Sequence, residues 1–95
     1  MSDHTYRLSL APSARRALTE APPKGLSLPV AAAVAEFLTG PPLNNPHRLG
    51  KPLVGELRGY HSARRGAYRV IYRIDDTARV VHFVRIDHRA DIYRT

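Results

Sequence analysis

Hydrophobic residues recur with two different periods along the chain. Thr5 to Leu10 alternates, with Tyr6, Leu8 and Leu10 on one side, as in a half-buried strand. Pro12 then suits the first turn of a helix, where its missing N–H costs nothing. Ala14, Ala17, Leu18 and Ala21 form a small apolar stripe at helical spacing, ended by Pro22-Pro23. Ser27 is placed to cap a second helix, with Pro29 in its first turn and Val30, Val34, Phe37 and Leu38 as its buried stripe. Gly40 and Pro41-Pro42 close it. Residues 41–56 read as a loop, because their prolines and Gly50 disfavour regular structure over most of that stretch. From Leu57 the period becomes two. Strands are expected over 57–64, 67–74 and 79–86, with a turn at Asp75-Asp76-Thr77. In the second of these, Tyr68, Val70, Tyr72 and Ile74 share one face, and Arg69, Ile71 and Arg73 the other. In the third, Val81, Phe83 and Arg85 share a face opposite Val80, His82, Val84 and Ile86.

The order is therefore β-α-α-β-β-β. It predicts a single α+β domain over residues 1–95, a small antiparallel sheet with a helical hairpin packed on one face. A chain of 95 residues has room for one thin core and excludes a multi-domain enzyme or a repeat array. There is no cysteine, so disulfides, iron–sulfur clusters and thiolate-held zinc are excluded. The first ten residues carry no apolar run and do not read as a signal peptide, and no segment reads as a membrane span. A reducing cytoplasm is the expected compartment, and no membrane partner is expected.

Charge adds direction to this outline. Fifteen basic residues stand against eight acidic ones, a net +7, and thirteen of the fifteen are arginine. Residues 1–46 carry a net +1 and residues 47–95 a net +6, so the second part is the candidate working surface. Guanidinium forks match phosphate oxygens, and a small arginine-dominated domain points to nucleic acid. The competing interpretation is a basic surface that meets an acidic protein. Helices can cover only one side of the sheet, so arginines on the bare side would make a basic surface with an apolar floor, suited to an RNA backbone. A solvated face with salt bridges to Asp75 or Asp76 is equally open at this point. His82 reads as a packed or edge histidine, and His47 as a solvated loop residue. No two histidines have the i, i+4 spacing of a helical zinc site, so no metal and no cofactor is expected.

The segment from Arg85 to Thr95 places His88, Arg89 and Tyr93 directly after the last core strand. An imidazole, a guanidinium and a phenol are groups that RNA cleavage by the neighbouring 2′-hydroxyl can use. The substrate itself supplies the proximity of that nucleophile to its phosphate. On these residues alone the segment reads better as a polar tail with Ile92 and Tyr93 tucked into the core.

Three stretches carry a resemblance: Asn45-Pro-His-Arg-Leu-Gly-Lys-Pro-Leu53, Gly66-Ala-Tyr-Arg-Val-Ile-Tyr72 and His88-Arg-Ala-Asp-Ile-Tyr93. In this order and spacing the chain resembles the RelE/ParE superfamily of toxin–antitoxin toxins, on the RelE side. That resemblance implies a ribosome-dependent mRNA endonuclease cutting in the A site, without a metal, held inactive by a cognate antitoxin in a hetero-oligomer. It implies Arg69 as a clamp on the scissile phosphate, Arg89 as a charge stabiliser, and Tyr93 or His88 as the general base. Arg48, Lys51, His61, Arg64, Arg65, Arg73 and Arg85 are the expected RNA contacts. Some RelE toxins carry two lysines on the strand before the Tyr-Arg element. Here that segment is Tyr60-His61-Ser62-Ala63-Arg64-Arg65, so His61, Arg64 or Arg65 would stand in for them. A ParE-like inhibitor of DNA gyrase, and a nucleic-acid-binding member of the fold without chemistry, are the alternatives.

Overall fold

The computed structural model describes residues 6–88. Strand β1 (Arg7–Leu10) leads into helix α1 (Pro12–Thr19) and helix α2 (Leu28–Leu38). Two single-turn helices follow, α3 (Pro41–Asn44) and α4 (Pro46–Leu49). Then come strand β2 (Lys51–Pro52), a 3-10 turn at Gly55–Leu57, and strands β3 (Tyr60–Arg65), β4 (Tyr68–Asp75) and β5 (Val80–His88). The helical hairpin and the last three strands stand where the period of the sequence puts them. The stretch expected to be an irregular loop is partly helical instead. Pro41 and Pro46 each begin a turn of helix, where a proline lacks only an N–H that would be orphaned anyway.

The five strands lie in the order β1-β5-β4-β3-β2. Strands β3, β4 and β5 form the expected antiparallel meander, and β2 adds two residues opposite Ser62 and His61. Strand β1 lies parallel to β5, so the sheet is mixed rather than wholly antiparallel. A short connection enforces an antiparallel neighbour, but the connection from β1 runs through the helices and leaves its direction free. Gly66 turns β3 into β4 with φ of 60°, a conformation that glycine adopts without steric cost.

One face of the sheet is packed. Val70, Tyr72, Val81 and Phe83 are fully buried against Ala14 of α1, Val34, Phe37 and Leu38 of α2, and Leu43 of α3. The Phe37 and Tyr68 rings meet edge to face at 6.1 Å. Strand β5 carries a bulge. Ile71 stands opposite Arg85 and Tyr72 opposite Phe83, so Val84 is an extra residue. Strict alternation had put Arg85 with Val81 and Phe83. The bulge reverses this: Ile86 enters the core at 8% exposure, and Arg85 moves to the bare face opposite Ile71. No helix among the described residues is long and apolar enough to cross a membrane.

Candidate functional site

Cross-strand register decides which basic residues share a surface, since directly opposed residues point to the same face. On the bare face Lys51, Ser62, Ile71 and Arg85 make one row, and Arg64, Arg69 and Asp87 the next. A third row, toward the β4–β5 turn, is Tyr60, Arg73 and His82. Same-face neighbours along a strand are roughly 6.5 Å apart. Lys51, Arg64, Arg69, Arg73 and Arg85 therefore form a patch a few rows wide, with Ile71 as apolar floor. On this face Arg85 Nε donates to Asp87 Oδ1 at 2.9 Å, an ion pair with neither Asp75 nor Asp76. Among the described residues Lys51, Arg69 and Arg73 have no carboxylate within ion-pair distance.

The patch deepens into a cleft of about 550 Å³ lined by Leu49, Gly50, Lys51, Ser62, Arg64 and Arg69. Its one wall is the chain from α4 into β2, and its floor is β3 and β4. Arg48 projects from α4 beside a separate exposed hollow with Pro41 and Asn45, at the rim rather than in the cleft.

Three expected site residues fall elsewhere. His61 and Arg65 alternate with Ser62 and Arg64, and so lie on the packed side of β3. The Arg65 guanidinium sits 5.1 Å from the centre of the Phe37 ring, a cation–π contact. The His61 ring stacks on Tyr72 at 5.4 Å and 13°. Its Nδ1 is buried without a partner among the described residues. Burial pushes the His61 pKa below 6.5, with the nearby His47 adding to the effect. His88 is opposite Tyr68, beyond the bulge, and lines a hollow with Pro22, Pro23, Leu26 and Val30 under the helical hairpin. It thus lies on the other face of the sheet from Arg69. Arg89 and Tyr93 lie outside the described residues.

The sequence reading missed a polar cluster at the far end of the cleft wall. His47 Nε2 lies 2.8 Å from Asp76 Oδ1, and the same oxygen accepts a hydrogen bond from the Tyr6 hydroxyl. His47 is therefore tied to the β4–β5 turn and is not simply solvated. The His47 bond, then the Tyr6 bond, lowers the Asp76 pKa below 3.8. The bond to Asp76 chiefly raises that of Tyr6 above 10.0. The Arg79 guanidinium packs 4.3 Å from the Tyr6 ring centre. No local signal joins residues 6, 47 and 76, which only the tertiary fold brings together.

Comparison with known proteins bears on what this surface belongs to. Residues 8–93 match the family described as the ParE toxin of type II toxin–antitoxin systems, parDE. The chain belongs to that family. It is 50% identical over 92 residues to Toxin RelE of Mycobacterium tuberculosis, covering 97% of this chain and 90% of that protein. It is 49% identical over 89 residues to Toxin RelG of the same organism, covering 94% of this chain and 97% of that protein. Among solved structures it is similar to the toxin–antitoxin complex RelBE2 from M. tuberculosis, with TM-score 0.77 and 46% identity over 90% of this chain and 99% of that one. This is a type II toxin of the RelE/ParE superfamily. The α+β sheet with its helical hairpin is the fold it shares with the solved RelBE2 structure.

Proposed function

We propose that this toxin is a ribosome-dependent mRNA endonuclease that cuts in the A site. The observation that carries this reading is the basic cleft on the uncovered sheet face, with Arg69 and Arg64 side by side and Lys51 on the wall. Such a surface meets the phosphates of a single strand, while Ile71 offers an apolar contact to a base. Identity of about half the chain to proteins named RelE and RelG supports the nuclease reading over gyrase inhibition.

The step needs no redox partner. The 2′-hydroxyl oxygen attacks the adjacent phosphorus, and the bond from phosphorus to the 5′-oxygen breaks. A base takes the 2′-proton, and an acid returns one to the 5′-oxygen, leaving a cyclic 2′,3′-phosphate and a 5′-hydroxyl. Arg69 would clamp the scissile phosphate and offset charge on its equatorial oxygens. With His88 across the sheet, the proposal assigns the base to Tyr93 and charge stabilisation to Arg89, on the family resemblance. An acidic antitoxin segment folding over the same cleft would silence it by covering Arg69. The RelBE2 neighbour is itself a toxin–antitoxin complex, which supports such a partner.

The test is cleavage of mRNA on stalled 70S ribosomes with a defined A-site codon, with naked mRNA as control. Codon-phased cuts by the wild type, lost in Arg69→Ala, Arg89→Ala and Tyr93→Phe, are expected. A folded wild-type chain that makes no cuts, but blocks supercoiling by gyrase, would replace this reading with the ParE-like one.

A further inference from the structure

The cleft wall is an unusual thing to find in one fixed place. From Asn45 to Leu53 it contains one turn of helix and two residues of strand, too little to hold its own shape. Its backbone is tied to β3 by the β2 pairing and by the Leu53 N–H donating to Tyr60 O at 2.8 Å. Two side-chain fastenings stand beside these among the described residues: His47 Nε2 at 2.8 Å from Asp76 Oδ1, at the outer end, and a side chain from the core. Tyr72 is fully buried, and its hydroxyl donates to Pro46 O at 2.7 Å and accepts from the Gly50 N–H at 3.1 Å. One oxygen thus grips the first residue of α4 and the residue just past its last. Gly50 sits so close that a Cβ there would lie 2.7 Å from Ser62 O and 2.8 Å from the Tyr72 hydroxyl. A phenylalanine would supply the same apolar ring to the core. The hydroxyl has a separate task, meeting two backbone groups that a single helical turn leaves without partners.

We propose that Tyr72 is a positioning residue of the basic cleft: its hydroxyl fixes α4 and Gly50, and through them sets Lys51 on the wall facing Arg64 and Arg69. The consequence for RNA rests on the reading given under Proposed function, whereas the placement of the wall does not.

The test uses the full-length chain as wild type, Tyr72→Phe, Lys51→Ala and the double variant. Amide hydrogen exchange on the free protein comes first. In Tyr72→Phe, exchange at Gly50 and Lys51 should rise at least roughly fivefold, the worth of one ordinary hydrogen bond, while the central amides of β4 and β5 keep their protection. Binding of a short single-stranded RNA, followed by fluorescence anisotropy, comes second. Tyr72→Phe should weaken it roughly three- to tenfold, and should add nothing in the Lys51→Ala background, because both changes remove the same contact. Unchanged exchange at Gly50 and Lys51 overturns the proposal. So does an equal loss of RNA affinity in both backgrounds, which would mean general loosening. If wild type binds no RNA, the functional reading falls and the exchange data decide this inference alone. Should Tyr72→Phe fail to fold, NMR of the wild-type chain decides: a slowly exchanging Tyr72 hydroxyl proton with a contact to the Gly50 N–H is expected, and a freely exchanging hydroxyl overturns the proposal.

Discussion

At the scale of single residues, side chains adjacent in sequence part company by strand face. Arg64 borders the cleft, while Arg65 lies over Phe37 on the packed side. Arg65→Ala should therefore cost stability, on the order of 0.5–2 kcal/mol from the lost cation–π contact and stem packing, and leave cleavage almost intact. Arg69→Ala should do the reverse: a thermal midpoint near wild type, with the rate down roughly 100- to 1,000-fold, as for loss of one charge-stabilising donor. Ribosome cleavage rates beside melting curves separate the two. His61 makes a further prediction, about pH. Burial lowers its folded pKa below 6.5, so the unfolded chain binds that proton more readily. Its contribution to stability is whole above the unfolded value near 6.5, and declines as pH falls from there toward the folded pKa. The groups facing it are His47 of α4 and the Tyr72 ring of β4. Melting curves between about pH 7.5 and 5 should show a steeper acid loss in wild type than in His61→Phe. Asp76 acts in a separate window. Its lowered pKa gives stability above 3.8 that fades only as pH falls through its folded value.

At the scale of elements, the sheet was legible and its irregularities were not. Tyr68, Val70 and Tyr72 alternate with Arg69, Ile71 and Arg73, and the structure keeps that division. Phe37 of α2 was legible as core in the same way, at 5% exposure. Phe37→Ala should cost about 3–5 kcal/mol and Val70→Ala on the order of 2 kcal/mol in denaturant unfolding, both without moving the cleft. The bulge at Val84 left no mark in the sequence, because Val-Arg-Ile after Phe83 satisfies either face until the partner strand is in place. The period of two in Tyr60 to Arg65 did separate the cleft residue Arg64 from His61 and Arg65. Ala63 between them marks the packed side of the strand, which places His61 and Arg65 on the face opposite Arg64. In residues 41–56 prolines signal breaks in regular structure, yet Pro41 and Pro46, at the first position of a helix, begin turns.

For the whole molecule, net charge and fold topology act together. The net +7 by itself says that polyanions are attracted, but not where. The mixed sheet with helices on one side leaves the other side for Lys51, Arg64, Arg69, Arg73 and Arg85. If these are the contacts, single-stranded RNA binding should weaken with salt at a log–log slope of roughly −2 to −3.5, about −0.7 for each phosphate engaged. A slope near zero, measured by titration at several salt concentrations, would count against a phosphate-reading surface.

The sequence by itself determined the helical hairpin and the last three strands, the core stripes of α2 and β4, the one-sided sheet, the basic second part and the family. All of these depend on local period, composition or motif, which a single chain displays in full. Only the tertiary structure decided that β1 runs parallel to β5, that Val84 bulges, that His88 lies across the sheet from Arg69, and that Tyr6, His47 and Asp76 meet. Each of these is a relation between segments distant along the chain, fixed by strand register and packing. A register shift of one residue moves a side chain from one face to the other, and no local pattern records it.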